Sequence, residues 1–162
     1  MSTILVAADA KWVRDLVKSS CTAPGQRVLE ATRGQDVRDL VGAEAPDLVV
    51  LDMQIANMGG LAVAIDLRLE GAAGRIPDVS ILLLLDREAD RFLAKRVDAD
   101  GELVKPVDPG TLRRTVDGLL AREKIRQIQC KELLARAITQ FDFGQRRVSQ
   151  SVPDPDRRDT AV

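Results

Sequence analysis

Three charged residues lie directly after apolar stretches of the chain, where a folded sheet would place reactive groups. Asp9 follows "ILVAA", Asp52 ends "DLVVLD", and Lys105 ends "GELVK", directly before Pro106. Each residue on its own is explained by an ordinary solvated loop charge. The alternative is that a carboxylate at the end of a buried strand is a reactive group, with the second carboxylate and the lysine beside it. The choice depends on whether the fold brings the three side chains together.

The hydrophobic pattern predicts five strand–helix units in series over residues 1–121. Each predicted strand is followed by apolar residues at helical spacing, and Pro109 marks where the fifth helix begins. Strands that are apolar throughout are buried on both faces, so the pattern predicts an α/β fold with a doubly wound, five-stranded parallel sheet flanked by helices. In such a sheet the ligand site lies beyond the carboxyl ends of the strands. The predicted strands cover residues 3–8, 27–31, 47–52, 79–85 and 101–106.

The composition excludes several classes of function. The 162 residues are 45% hydrophobic and 30% charged, which indicates a folded soluble protein, and the net charge of −1 gives no reason to expect nucleic-acid or membrane binding. The chain has no His, and Cys21 and Cys130 are far apart, which argues against a transition-metal site and against His-based catalysis. We find no signal peptide and no apolar stretch of about 18 residues, so a cytoplasmic location is expected.

The ordered set "ILVAAD", "DLVVLDMQIANMGGLAV" and "GELVKP" resembles the receiver domain of bacterial two-component response regulators over residues 3–121. The resemblance implies a flavodoxin-like receiver fold in which Asp52 accepts a phosphoryl group from a histidine kinase or a small phosphodonor. It also implies that Asp9, Asp52 and the main-chain carbonyl of Gln54 hold Mg²⁺, and that Lys105 contacts the phosphoryl group. Pro106 is expected to be cis, as it often is in the family. These roles are physically consistent, because two approaching anions need positive charge between them.

Four positions depart from the family pattern, one of which is Ala56 in place of the usual Pro in the loop after the acceptor. Ala8 replaces one acidic residue of the usual pair, Leu85 replaces the Ser or Thr that ends the fourth strand, and Glu102 replaces an aromatic residue in the fifth. We therefore expect weak Mg²⁺ binding. We also expect an altered response to phosphorylation, because the Ser or Thr and the aromatic residue that report it in the family are missing. Asp86, directly after Leu85, would repel a phosphate if it pointed inward.

Two interpretations of these departures remain open. In the first, the chain is an atypical, stand-alone receiver in a phosphorelay that is phosphorylated and signals by protein–protein interaction to a downstream protein. In the second, it is a pseudo-receiver that binds proteins without phosphorylation. An enzyme is not expected. A hydrolase with an aspartyl-phosphate intermediate needs an acidic residue shortly after the nucleophile, and Met53, Gln54 and Ile55 supply none.

The sequence changes character after residue 121. Residues 122–143 are predicted to form a helical extension, either as a continuation of the fifth helix or as a separate helix. Residues 144–162 are predicted to be a disordered tail. Residues 122–162 carry a surplus of only 9 − 6 = +3 charges and lack a helix-turn-helix pattern, so no DNA-binding domain is expected. The helix could pack on its own domain or support a homodimer.

Overall fold

The structure is a computed structural model that describes the backbone of residues 1–148 and the side chains of residues 1–134. A single five-stranded sheet has the order β2-β1-β3-β4-β5, and every pair of neighbouring strands is parallel. The predicted doubly wound α/β architecture is confirmed. The strands are β1 (Ser2–Ala7), β2 (Gln26–Ala31), β3 (Leu48–Asp52), β4 (Ser80–Leu85) and β5 (Gly101–Val104).

Five helices alternate with the strands, and two short 3₁₀ turns lie at Gly34–Asp36 and Glu88–Asp90. The chain passes from β1 outward to β2 and then returns to place β3 on the other side of β1. The strand order therefore reverses between β1 and β3, which is the point where such sheets hold their ligands. The helices are α1 (Lys11–Ser20), α2 (Val37–Glu44), α3 (Gly60–Ala72), α4 (Arg91–Arg96) and α5 (Pro109–Val148).

The central strands are buried on both faces, as their continuous apolar sequence predicts. Every residue of β3 and of β4 is buried. Successive side chains point to opposite faces, so Leu5 of β1 joins one core cluster while Ile4 and Val6 join the other. The edge strand β5 is only half-buried. Burial on this scale fixes the register of the strands, and so fixes which residues reach the carboxyl edge of the sheet.

Helix α5 begins where the sequence predicted. Asp108 lies directly before Pro109, and its Oδ2 accepts a hydrogen bond from the backbone N–H of Thr111 at 2.8 Å. This bond to a backbone N–H, with a second from the Thr111 hydroxyl, lowers the pKa of Asp108. Pro109 has no N–H to leave unpaired in the first turn. The start of α5 is therefore held by an acidic cap.

Helix α5 continues to Val148, so the extension predicted for residues 122–143 is a continuation of the fifth helix. Residues 144–148 are helical, and the rest of the predicted tail, 149–162, lies outside the described residues. The chain divides into two compact units, Met1–Glu123 and Lys124–Val162. In the second unit the described large apolar side chains are all exposed: Ile125, Ile128, Leu133 and Leu134.

The first unit ends at a buried polar contact. The Ser80 hydroxyl, at the start of β4, donates a hydrogen bond of 2.9 Å to Oε2 of Glu123, and only 4% of each residue is exposed. A buried polar group that loses its partner retains the cost of its desolvation. This contact connects α5 to the amino-terminal edge of the sheet.

We expect Glu123→Ala to lower the free energy of unfolding by about 1–3 kcal/mol, because the buried Ser80 hydroxyl loses its acceptor. Urea denaturation measures this change. Glu132→Ala is the matched control, since Glu132 is an exposed residue of the same helix and its loss should change stability by no more than about 0.5 kcal/mol. Equal stability of the two variants would show that the Ser80 contact contributes nothing.

Across the described residues, every helix is either too short or too polar to span a lipid bilayer.

Candidate functional site

A cavity of about 270 Å³ opens at the carboxyl edge of the sheet, beside the point where the strand order reverses. It contains all four residues to which the resemblance gave roles: Asp9, Asp52, Gln54 and Lys105. It also contains residues without a predicted role, of which Asp86 is charged. The lining residues are Asp9, Ala10, Trp12, Asp52, Gln54, Asp86 and Lys105.

Asp52 and Lys105, which both line this cavity, form an ion pair. Asp52 is the last residue of β3 and is only 2% exposed, while Lys105 follows β5 and its side chain is 15% exposed. The Lys105 Nζ lies 2.6 Å from Asp52 Oδ1. The backbone N–H of Gln54 lies 3.4 Å from the same oxygen. The Lys105–Pro106 peptide bond is cis, as the resemblance implied.

Asp86 shares the same lysine. Its Oδ1 lies 2.6 Å from Lys105 Nζ, and its Oδ2 accepts a hydrogen bond of 3.1 Å from the Gln54 side-chain amide. Asp86 follows β4, the strand between β3 and β5, and it lines the cavity with its carboxylate on the same ammonium as that of Asp52. The sequence indicated Asp86 only as a residue that would repel phosphate if it faced inward. The structure shows that it does face the cavity.

The hydrogen bonds in the cavity hold both ionisable partners in their charged forms. The bond from Lys105 lowers the pKa of Asp86, and the weaker bond from Gln54 acts in the same direction against the effect of burial. Burial by itself would lower the pKa of Lys105, but the hydrogen bonds to Asp52 and Asp86 outweigh it and raise that pKa above its usual value. Lys105 therefore remains an ammonium near neutral pH.

Arg14 holds the loop after β1, and sequence reasoning gave it no role. Its Nη1 donates hydrogen bonds to the main-chain carbonyls of Ala8 and Asp9, at 2.7 and 2.6 Å. Arg14 lies on α1, five residues after Asp9, so this is a contact between a helix and the strand end directly before it. No sequence motif marks it, because the acceptors are backbone atoms. The contact fixes the position from which Asp9 reaches the cavity.

The positions that depart from the family pattern are not among the residues that line the cavity. Ala8 and Leu85 are fully buried in the core. Glu102 is half-buried in β5 and pairs with Arg91 of α4, with an N–O distance of 3.2 Å. The strand position that often carries a mobile aromatic residue in the family is therefore held by an ion pair between β5 and α4.

Gly60 leaves no space between the start of α3 and the end of β3. A Cβ atom built on Gly60 would lie 2.1 Å from the main-chain oxygen of Asp52 and 2.9 Å from its carbonyl carbon. The Gly60 N–H donates to the Met53 carbonyl at 3.1 Å. Only glycine allows this approach, and the contact fixes the backbone that carries Asp52.

Asp9 and Asp52, which line the cavity, carry carboxylates of the kind that Mg²⁺ prefers, and Gln54, whose main-chain carbonyl the resemblance assigns to the ion, also lines it. The set is small. Among the residues whose side chains are described, no group of three or more His, Cys, Asp or Glu is arranged to hold a metal ion. Mg²⁺ usually keeps several waters and needs only one or two carboxylates, so this donor set fits a weakly held ion.

Comparison with known proteins identifies the family. The family model for the response regulator receiver domain matches residues 4–132. Protein PilH of Pseudomonas aeruginosa is 31% identical over 121 residues, which covers 75% of this chain and 99% of PilH. The probable transcriptional regulator ycf27 of Porphyra purpurea is also 31% identical over 121 residues, but there the chain spans only 47% of the relative's length.

Solved structures show the same fold. The chemotaxis protein CheY4 of Vibrio cholerae superposes with a TM-score of 0.64 at 24% identity, covering 74% of this chain and 98% of that one. NtrX of Brucella abortus has a TM-score of 0.69 at 22% identity, covering 82% of this chain but 30% of that one. With the family match and the cavity at the carboxyl edge, the chain belongs to the response regulator receiver domain family. Such domains are the receiving modules of two-component signalling, and they are generally not enzymes.

Proposed function

We propose that this receiver domain accepts a phosphoryl group on Asp52 and passes the signal on through protein–protein contacts. The observation that carries the proposal is the buried Asp52 carboxylate with Lys105 Nζ at 2.6 Å, in an open cavity. A nearly buried carboxylate held against an ammonium is suited to accept a group that brings more negative charge. The donor is a histidine kinase or a small phosphodonor, and the receiver of the signal is a downstream protein.

The reaction transfers a phosphoryl group from the donor to a carboxylate oxygen of Asp52. An Asp52 oxygen attacks the phosphorus, an O–P bond forms, and the bond between phosphorus and the donor breaks with its electron pair leaving on the donor. The bonds from Lys105 and Gln54 both end on Oδ1. We therefore assign Oδ2 as the attacking oxygen and Lys105 as the group that stabilises the transferred phosphoryl oxygens.

Asp9, Asp52 and the Gln54 carbonyl would hold Mg²⁺, and the ion would supply positive charge in addition to that of Lys105. Asp9 does not offset the negative charge of the phosphoryl group itself. As an anion at the cavity wall, it favours the binding of a cation there. Lys105 and the ion would together offset the negative charge of the incoming group.

A second candidate function is a pseudo-receiver that binds proteins without phosphorylation. Asp86 favours it, because this carboxylate already occupies Lys105 at 2.6 Å. The ion pair of Glu102 with Arg91 favours it as well, because it holds the strand position expected to report phosphorylation. The exposed apolar residues of α5 offer a surface for a partner or a second copy in either case.

Incubation with Mg²⁺ and acetyl phosphate, followed by intact-mass measurement, separates the two functions. The proposal expects a phosphoryl adduct in the wild type that is absent from Asp52→Asn. A histidine kinase phosphorylated on its histidine serves as the second donor. A protein that forms no adduct with either donor would be a pseudo-receiver.

We expect Ala8→Asp to tighten Mg²⁺ binding, because it adds a carboxylate next to Asp9. Ala8 is fully buried, so the new charge should also lower the melting temperature in the absence of Mg²⁺ and make stability depend on the ion. Fluorescence of Trp12, which lines the cavity and is 58% exposed, reports binding. Ala8→Asn is the control of equal shape without charge. Equal Mg²⁺ affinity in Ala8→Asp and Ala8→Asn would place position 8 away from the ion.

A further inference from the structure

Two donors of the cavity converge on Asp86 rather than on open space. Lys105 Nζ reaches its Oδ1 and the Gln54 amide reaches its Oδ2, so both carboxylate oxygens accept a bond. Lys105 Nζ is at the same time 2.6 Å from Asp52 Oδ1. An ammonium and an amide aimed at one anion are the kind of donors that would bind the oxygens of a phosphoryl group on Asp52. Asp86 occupies them instead.

The formal charges of the cavity show why the contact of Asp86 with Lys105 matters. Asp9, Asp52 and Asp86 contribute three negative charges and Lys105 contributes one positive charge, so the formal sum is 1 − 3 = −2. Asp86 carries one of those negative charges, and it is neither a proposed metal ligand nor the proposed phosphoryl acceptor. It competes for the only cation among the lining residues and repels an anionic donor.

We propose that Asp86 is an internal competitor of the phosphoryl group and sets how readily this receiver is phosphorylated. The inference rests on the proposed function of Asp52. For the phosphoryl group to bind Lys105, the ammonium must leave Asp86 or hold two anions at once. Either course raises the free energy of the phosphorylated state and of the transition state that leads to it.

Neutralising Asp86 without changing its shape therefore releases Lys105. Asp86→Asn retains an oxygen that can accept the bond from Gln54 but lacks the charge that pairs with Lys105. The expected gain is on the order of tenfold in the rate of uptake, the scale of one electrostatic contact in a partly buried site. Asp117→Asn is the charge-matched control, because Asp117 is an exposed residue of α5 outside the cavity.

The experiment measures the rate of adduct formation from acetyl phosphate in Mg²⁺ by intact mass, for wild type, Asp86→Asn and Asp117→Asn. Beryllofluoride, a stable phosphoryl analogue, is titrated in parallel against Trp12 fluorescence. We expect Asp86→Asn to form the adduct about tenfold faster and to bind beryllofluoride more tightly, while Asp117→Asn behaves as wild type. Thermal melts confirm that all three proteins are folded.

The outcomes separate this inference from the proposed function. Adduct formation at equal rates in wild type and Asp86→Asn, or more slowly in Asp86→Asn, would overturn the role of Asp86 and leave phosphorylation of Asp52 intact. If no protein forms an adduct, the proposed function fails and beryllofluoride decides the role of Asp86. Tighter binding to Asp86→Asn than to wild type would then support competition, and equal or weaker binding would overturn it.

Discussion

We expect Lys105→Ala to slow the uptake of a phosphoryl group from acetyl phosphate by about tenfold or more. The ammonium lies 2.6 Å from Asp52 Oδ1 and is the only cation that lines the described cavity. Without it, no cationic side chain among the lining residues would offset the negative charge on the transferred oxygens. Lys105→Arg should restore the rate only in part, because a planar guanidinium does not place its charge where the ammonium does. Intact mass over time gives all three rates.

The same substitution also lowers stability. The Lys105 side chain is 15% exposed and that of Asp52 only 2%, so the variant leaves a nearly buried carboxylate without its partner. We expect a loss of about 1–3 kcal/mol, between the values for exposed and for buried ion pairs. Lys11→Ala is the control, because it removes an exposed ion pair with Asp15 and should cost no more than about 1 kcal/mol. If Lys105→Ala takes up the phosphoryl group at the wild-type rate, Lys105 has no part in phosphoryl transfer.

We expect Gly60→Ala to destabilise the fold by about 3 kcal/mol or more, because its Cβ would lie 2.1 Å from the main-chain oxygen of Asp52. The obstructing atoms are backbone, which moves only if β3 or α3 moves. The displacement should also lower phosphoryl uptake, since it shifts the residue that carries the nucleophile. Urea denaturation and intact-mass kinetics on one preparation measure both effects.

Gly59→Ala is the control for this prediction. It is the adjacent glycine, and its added Cβ would lie 3.7 Å from the nearest atom, the Met53 carbonyl oxygen, which is an ordinary contact. Its φ of −58° is open to alanine. If Gly60→Ala unfolds at the same urea concentration as Gly59→Ala, the close approach of α3 to β3 is not a constraint on the fold.

The elements that position the site follow from the sequence because their signals are local. The continuous apolar runs of β3 and β4 predict burial on both faces, and burial on both faces predicts a parallel sheet. The shared carboxyl edge then places Asp52 and Lys105 near each other, although they are 53 residues apart. No pattern within either segment predicts this contact. It follows from the topology.

The contacts that the sequence did not predict depend on side-chain directions. The sequence shows that Asp86 follows β4. It does not show its partners, because these depend on the side-chain positions of Lys105 and Gln54, which lie on other segments of the chain. Arg14 binds backbone carbonyls, which carry no sequence signal. Lys105 follows the edge strand β5, yet only 15% of its side chain is exposed, because it packs against carboxylates from two neighbouring strand ends.

Strand β4 carries a polar contact at each of its ends. Ser80 begins it and holds Glu123 of α5, and Asp86 follows its last residue and holds Lys105. All six residues of the strand are buried in close-packed surroundings, where a small displacement is not absorbed locally. One buried, close-packed strand therefore joins the cavity at the carboxyl end of the sheet to the buried Glu123 at its amino end.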